Sequence, residues 1–307
     1  MVLLWGISSD GPFAAVRDEL QRIGVANRFL DQQTLLRSKI SLSFEGVPGG
    51  TLTTPDWSAD LSAFTAIYLR PYDPRRLAAL SGLKPDSPRK LRALVFEDTL
   101  TCWLEITSAR VVNRPSAMAS NNSKPYQLSL IHSHGFAVPE TLVTTDPAAA
   151  LAFWERHGTA VYKSVSGVRS IVTQLRDEHR QRLQDVAHCP TQFQQFISGS
   201  DFRIHVVGDE VFGCEIRSGA DDYRYPDRQG ANVEVSSYDV PPELAERCRK
   251  LAASLNLPVA GLDLRLADSG NCFCFEVNPS PGFSFYEEAT GQPIANAVAR
   301  LLASAGE

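Results

Sequence analysis

The chain has 307 residues, of which 43% are apolar and 21% are charged, and its formal net charge is −5. This length is enough for two or three subdomains around a sizeable core. Mild acidity excludes a global attraction for nucleic acid or anionic lipid, and no apolar run is long enough to cross a bilayer. We therefore expect neither a nucleic-acid partner nor a membrane. Six scattered cysteines without metal-type pairs predict reduced thiols and a cytoplasmic protein.

The first 112 residues have the pattern of a parallel-sheet domain. Apolar segments at 2–7 and 25–30 flank a helix that begins at Gly11-Pro12, which is a β-α-β start, and a further strand is predicted at 66–69. A long helix begins at Ser87 and carries an apolar face that we expect to be buried. Its members are Leu91, Leu94, Val95, Cys102, Trp103 and Ile106.

The segment that follows is predicted to be a compact α+β unit with a loop of small residues. Its helices are expected at 123–135 and 146–157, and its strands at 138–143, 160–163 and 171–175. The loop 164–170 lies before the last of these strands, and we expect it to act as a lid.

The last third of the chain is richer in strands. Strands are predicted at 191–197, 202–207, 210–216, 259–266 and 272–278, and helices at 242–255 and from Pro293 onward. The last two strands are expected to pair as a hairpin, whereas 217–230 is predicted to be a polar loop.

The strongest chemical signal lies on that hairpin. Glu276 and Asn278 alternate along one strand and therefore share a face, and Asp263 lies on the strand before it. Two carboxylates and an amide oxygen are suitable ligands for Mg²⁺. Ordinary surface acids are the alternative, but the apolar neighbours favour burial, and a buried carboxylate needs a cation. Cys272 and Cys274 also share a face, which we place near the metal without a catalytic role.

Two lysines are candidates for holding nucleotide phosphates. Lys124 opens a predicted helix, and Lys163 ends a strand directly before the small-residue loop. The loop residues Ser166 and Gly167 would add backbone donors to the same phosphates. For each lysine taken alone, plain exposure to solvent is the ordinary alternative.

An apolar strand that ends in a short turn is the candidate for binding the nucleoside. The segment Gln194-Gln195-Phe196-Ile197 can offer backbone groups to an adenine edge. Asp201 or Gln195 can bind ribose hydroxyls, and Arg203 can reach a phosphate.

In this order the segments resemble the ATP-grasp superfamily, and most closely the RimK-type glutamate ligases and related ligases that modify ribosomally made peptides. The run Phe275-Glu276-Val277-Asn278-Pro279 is similar to the family's metal-binding strand. Lys124 and Lys163 fall where the family has its nucleotide lysines, and the segment from Gly199 to Arg203 resembles its G-x-D-x-R. The resemblance runs from about residue 113 to 302, with a looser match before it.

The resemblance implies an α/β (α+β) architecture of the ATP-grasp type. It divides the chain into an N-terminal pre-ATP-grasp parallel-sheet domain (1–112), a small central lid subdomain (113–193) and a mostly antiparallel C-terminal subdomain with the metal site (194–307). It also implies a ligase that uses ATP and one or two Mg²⁺ ions, with Mn²⁺ as a substitute. Such an enzyme joins a carboxylate to an amine of an amino acid or peptide through an acyl-phosphate. Arg224, or with lower priority Arg217 or Arg228, would steady that intermediate.

Two departures and several alternatives accompany this interpretation. Gln195 stands where many relatives have an acidic residue, and the loop after Lys163 contains only Gly167 where some relatives have more glycines. An ATP-grasp kinase, a catalytically silent nucleotide-binding regulator and a plain structural domain are the competing hypotheses. The two substrates and homo-oligomerisation stay open.

Overall fold

The computed structural model describes residues 1–165, 172–218 and 232–306. The N-terminal part contains strands β1 (Val2–Gly6), β2 (Asn27–Asp31), β3 (Lys39–Glu45), β4 (Val47–Thr53), β5 (Ser58–Asp60), β6 (Ala66–Leu69) and β7 (Arg110–Val112), with helices α1 (Gly11–Arg22), α2 (Ala78–Ser81) and α3 (Pro88–Ile106). Four of the strands form a parallel sheet in the order β2-β1-β6-β7. The expected parallel sheet is confirmed, whereas the antiparallel sheet β3-β4-β5 was not predicted.

Helix α3 presents a different face to the core from the one we expected. The side chains that it buries are Ala93, Phe96, Glu97, Leu100, Trp103 and Leu104. Leu91, Val95, Cys102 and Ile106 are exposed, so of the predicted inward face only Trp103 is fully buried. The helix is apolar on two faces, and contact with the sheet selects the one that carries the two large aromatic rings.

The central part is a small antiparallel sheet covered on one face. Its elements are α4 (Pro115–Met118), α5 (Lys124–Ser133), β8 (Thr141–Thr144), α6 (Pro147–His157), β9 (Ala160–Ser164), β10 (Thr173–Gln174) and β11 (Thr191–Gln195). The strand order is β10-β9-β11-β8. Phe153 and Trp154 of α6 pack with Tyr162 and Phe193 of the sheet, together with the 3₁₀ segment Asp177–His188. The opposite face of the sheet carries polar side chains.

The C-terminal part is a five-stranded antiparallel sheet in the order β14-β13-β12-β15-β16. Its elements are β12 (Gly199–Val207), β13 (Glu210–Ser218), β14 (Val233–Tyr238), α7 (Pro242–Ser254), β15 (Val259–Ala267), β16 (Cys272–Asn278), α8 (Ser284–Thr290) and α9 (Ile294–Ala303). Strand β14 and helix α8 were not predicted. Helix α7 covers one face of the sheet, with Cys248 and Leu251 against Leu262 and Leu264.

The last helix packs on the first strands of the chain. Ile294 and Val298 of α9 share a core with Val2 and Leu4 of β1 and with Phe13 of α1. The two ends of the chain thus form one hydrophobic core. Within the described residues, no helix combines the length and the apolar character that a transmembrane span requires.

Candidate nucleotide and metal site

A β-bulge between β15 and β16 sets which side chains reach the predicted metal site. Asp263 lies opposite Glu276, but the next pair is Leu264 with Cys274, so Phe275 is skipped. Without the bulge, alternation would place Cys274 on the face of Glu276. Instead Cys274 is fully buried in the core beside Leu264, and burial raises its thiol pKa. Cys274 thus lies on the opposite face of the sheet from the Glu276 side chain, although its thiol still donates to the Glu276 carbonyl at 3.8 Å. The absence of a catalytic role for the two cysteines stays a prediction.

The two carboxylates of this site are each paired with a buried cation. Arg203 Nη1 lies 2.5 Å from Asp263 Oδ1, and Lys124 Nζ lies 3.2 Å from Glu276 Oε1. Both cationic side chains are buried. Two negative and two positive charges cancel, which lowers the cost of burying any one of them.

Glycine at position 261 makes room for the arginine. Arg203 and Asp263 are direct neighbours in the register of β12 and β15. A Cβ at Gly261 would lie 2.3 Å from Arg203 Nη2, so no larger residue fits there without displacing the guanidinium. The guanidinium also lies 5.8 Å from the centre of the Tyr286 ring. Burial, and then the charge of Arg203, lower the pKa of the adjacent His205 well below its usual value, so this imidazole is neutral.

A buried glutamine places the first lysine beside Glu276. Gln127 of α5 donates through Nε2 to the Val277 carbonyl at 2.8 Å and accepts through Oε1 from the Val277 N–H at 3.0 Å. These two hydrogen bonds take the place of those that a neighbouring strand would make with the outer edge of β16. Lys124 lies one helical turn earlier and so meets Glu276. Gln127 was not predicted, because a buried glutamine in a helix has no distinctive sequence signal.

Asp263, Glu276 and Asn278 supply hard oxygen ligands that fit Mg²⁺. Asn278 pairs with Gly261 across the strands, and its Oδ1 accepts a hydrogen bond from the Ser280 N–H at 2.9 Å. Among the described residues, no cluster of three His, Cys, Asp or Glu side chains could hold a metal without further ligands. Magnesium usually keeps one or two carboxylates and takes substrate phosphates as its remaining ligands, which agrees with this set.

Lys163 lies on the polar face of the small sheet. It is buried on β9, directly opposite Gln192 of β11. Gln194, two residues on, donates through Nε2 to Thr141 Oγ1 at 3.0 Å. Ser166 and Gly167 lie outside the described residues.

An arginine that we did not single out holds the predicted nucleoside segment. Arg265 donates to the Ile197 carbonyl at 2.7 Å and makes two hydrogen bonds to Asp201, at 2.8 and 2.7 Å. Its guanidinium lies 5.8 Å from the centre of the Phe196 ring and 5.4 Å from the centre of the Phe275 ring. Asp201 is therefore held in place by a bidentate ion pair, which fixes its carboxylate beside the chain reversal that links the two sheets.

The backbone of the same segment is anchored to the small sheet. The Gln195 N–H donates to the Glu140 carbonyl at 2.9 Å, and the Phe196 N–H donates to the Thr159 carbonyl at 3.3 Å. Phe196 is 38% exposed, and strand alternation places its ring on the same face of the small sheet as Gln192 and Gln194.

The candidate arginines for the intermediate are placed differently from one another. Arg217 follows Ile216, which pairs with Asp201, so it projects from the opposite face of the sheet to Asp201 and Arg203. Its side chain is 70% exposed and contacts Glu215. The structure therefore does not bring Arg217 to the predicted metal ligands. Arg224 and Arg228 lie outside the described residues.

A further arginine connects the N-terminal sheet to the loop that follows β16. Arg70 follows β6 and pairs with Asp10, the N-cap of α1, at 2.7 Å. The same guanidinium donates to Ser280 Oγ at 3.1 Å and to the Pro281 carbonyl at 2.9 Å. The loop that follows Asn278 is thus attached to the N-terminal domain.

Comparison with known proteins agrees with this geometry. Residues 119–302 match the family model described as the RimK-like ATP-grasp domain. The chain is 30% identical over 228 residues to the ribosomal protein bS6--L-glutamate ligase of Escherichia coli O81, a match that covers 70% of this chain and 75% of the ligase. It is 29% identical over 229 residues to human beta-citrylglutamate synthase B, covering 67% of this chain and 56% of the synthase. The chain thus spans just over half the length of that human relative.

Two solved structures match nearly the whole chain. A RiPP-associated ATP-grasp ligase from Chryseobacterium gregarium, in complex with ADP and a leader and core peptide, has a TM-score of 0.83 at 21% identity, covering 99% of this chain and 96% of that one. The macrocyclase MdnC from Microcystis aeruginosa MRC, bound with the precursor peptide MdnA, has a TM-score of 0.80 at 21% identity, covering 99% of both chains. These similarities show the fold.

Proposed function

The chain belongs to the RimK-like ATP-grasp family, and from this we propose that it is an ATP- and Mg²⁺-dependent ligase that joins a carboxylate to an amine through an acyl-phosphate. The observation that carries the proposal is the facing pair Asp263 and Glu276, each beside a buried cation. This arrangement is suited to binding a metal ion together with the phosphates of a nucleotide.

The chemistry requires activation of the carboxylate. Transfer of the γ-phosphoryl group of ATP to a carboxylate oxygen releases ADP and gives an acyl-phosphate. Attack of the amine on its carbonyl then forms the amide and releases phosphate. Because the transferred group carries dispersed negative charge, catalysis consists mainly of positioning and charge neutralisation.

Each residue of the site has a proposed task in this reaction. Asp263, Glu276 and Asn278 would hold Mg²⁺, which neutralises phosphate charge when it is bound. Lys124 and Lys163 bind phosphate oxygens, and Lys124 would exchange Glu276 for a phosphate as its partner. The exchange keeps a buried ammonium group paired before and after nucleotide binding.

Arg203 becomes a candidate for stabilising the acyl-phosphate and the oxyanion that follows it. It lies beside Asp263 and is fixed by packing, whereas Arg217 lies on the other face of the sheet. Removal of one such donor lowers the rate by about 10²–10³. Arg224 and Arg228 remain candidates for the same task.

We propose a peptide as one of the two substrates. The similarity to the two solved structures covers 99% of this chain and so includes its N-terminal part, whereas the match to human beta-citrylglutamate synthase B covers 67% of it. Both solved structures contain a bound peptide. The mild acidity of the chain argues against a nucleic-acid substrate, and its six free cysteines support a reducing compartment, the cytoplasm.

The proposal is tested by product formation. The full chain would be incubated with Mg-ATP, amino acids and peptide pools, and a product whose mass equals two substrates minus one water should form together with ADP. Lys124→Met should lower the rate at least about 10²-fold, while Lys84→Met, which changes an exposed lysine, should not. ADP formation without a coupled product would indicate a kinase or hydrolase, and absence of Mg-ATP binding would indicate a structural domain.

A further inference from the structure

Gln192 is a buried side chain whose polar atoms both lack a hydrogen-bond partner. It lies in the middle of β11 and is 1% exposed. Neither its Nε2 nor its Oε1 has a partner in the part of the chain that the structure describes. None of the roles assigned above uses this residue.

Two other buried glutamines, Gln127 and Gln32, have partners for both polar atoms of their amides. Gln127 binds both backbone groups of Val277. Gln32, in the N-terminal domain, accepts from the Tyr72 N–H and donates to the Tyr72 carbonyl and to Glu97. Because a buried unpaired polar group is strongly unfavourable, the fold normally satisfies such amides. Gln192 is therefore an exception that needs an explanation.

The strand register places Gln192 on the nucleotide side of the small sheet. Phe193, the next residue, lies opposite Tyr162 and packs into the core beneath α6. Gln192 points the other way and lies directly opposite Lys163, on the same face as Gln194. A ligand held by Lys163 would therefore lie on the same face of the sheet as the unpartnered amide. Because the amide is fully covered in this structure, its side chain must rotate, or the groups over it must move, for the contact to form.

We propose that Gln192 binds the adenine base of the nucleotide through its N6 amino group and N7 atom. A phosphate only accepts hydrogen bonds and would leave Oε1 without a partner. Adenine presents a donor and an acceptor side by side, and a glutamine amide pairs with both at once. Guanine presents two acceptors on this edge, O6 and N7, so Oε1 would face an acceptor. The residue therefore selects ATP over GTP.

This inference rests on the proposed function, since it requires that the chain binds a nucleotide. It predicts an unusual combination for Gln192→Met, which keeps the length of the side chain and removes both polar atoms. The nucleotide-free protein should become more stable, with a Tm higher by about 2–5 °C. Its Kd for Mg-ATP should rise about tenfold, and its preference for ATP over GTP should fall by about the same factor.

Two controls separate recognition of the base from a structural role. Gln32→Met removes a satisfied buried amide far from the nucleotide and should lower the Tm without changing the ATP to GTP ratio. In the wild-type protein, 7-deaza-ATP, which lacks N7, should bind about tenfold more weakly than ATP. In Gln192→Met the two nucleotides should bind equally.

The measurements are calorimetric Kd values for Mg-ATP, Mg-GTP and Mg-7-deaza-ATP, with Tm values without nucleotide. The inference is overturned if Gln192→Met lowers the Tm, or if it leaves the ratios between the three nucleotides unchanged. If wild-type protein binds all three nucleotides equally, Gln192 does not read the base, although the proposed ligase activity stands. If it binds none of them, both proposals fall.

Discussion

Replacing Asp263 by leucine tests the idea that the charges of the site balance one another. In the structure Asp263 neutralises the buried guanidinium of Arg203. The variant removes the carboxylate and leaves the positive charge in its buried position. Stability and activity should therefore both fall, but for separable reasons.

The size of the stability loss follows from burial. Removal of one partner of a buried ion pair costs about 3–5 kcal/mol. The Asp263 side chain keeps 19% of its accessible surface, so solvent offsets part of this loss and we expect about 3 kcal/mol. An unfolding entropy of roughly 2 cal/mol/K per residue converts this value, for a chain of 307 residues, to a Tm lower by about 5 °C.

A second variant separates stability from catalysis. Arg203→Met combined with Asp263→Leu replaces both charges by apolar groups and should recover stability to within about 1 kcal/mol of the wild-type protein. It should not recover ligase turnover, because a metal ligand is still missing. Thermal unfolding without nucleotide and ADP release with substrates measure the two effects. An unchanged Tm in Asp263→Leu, or turnover in the double variant, would refute the reasoning.

Further predictions concern pH, the interdomain contacts, the cysteines and the metal. Burial raises the pKa of Glu97 to about 7, whereas the value in the unfolded chain is about 4.5. The contribution of the protonated Glu97 side chain to stability is therefore complete below pH 4.5 and is lost as the pH rises through 7. In urea unfolding, Glu97→Gln should therefore be more stable than wild type by about 1–3 kcal/mol at pH 8 and no more stable at pH 4. The buried Asn113 side chain donates to the carbonyls of Val259 and Pro279. Asn113→Asp replaces this donor by an acceptor and should lower the unfolding free energy by about 3 kcal/mol. An unchanged denaturant midpoint would contradict this expectation. Serine at both Cys272 and Cys274 should lower the Tm but preserve turnover; a folded, inactive double variant would show that a thiol takes part. Because the charges of the two ion pairs cancel, Mg²⁺ alone should raise the Tm by less than about 1 °C, whereas Mg-ATP should raise it by several degrees. Equal shifts would count against a site that the metal and the nucleotide share.

The sequence was sufficient to predict the parallel N-terminal sheet and the pairing of Asp263 with Glu276. Both rest on local periodicity and on a short hairpin, in which neighbouring strands are also neighbours along the chain. The bulge at Phe275 could not be predicted, because an apolar residue that is skipped in the register looks like any other strand residue. A shift of one residue was enough to place the side chains of Cys274 and Glu276 on opposite faces of the sheet.

Tertiary packing decided the features that local patterns left open. Helix α3 has two apolar faces, and only contact with the sheet determines that Phe96 and Leu100 are buried while Val95 is exposed. The contacts of Arg265 and Gln127 join segments that are far apart in sequence. Such side-chain to backbone hydrogen bonds leave no periodic signal along the chain.

The link from Arg70 to the Pro281 carbonyl has a consequence for how such an enzyme would move. Together with the core shared by α9 and β1, it attaches the N-terminal parallel sheet to the five-stranded sheet. We therefore expect an opening that admits a nucleotide to come from movement of the small central sheet rather than from separation of the other two sheets. A substrate bound to the N-terminal sheet would then keep a constant distance from the predicted magnesium ligands, and the small central sheet would be the part that moves during each turnover.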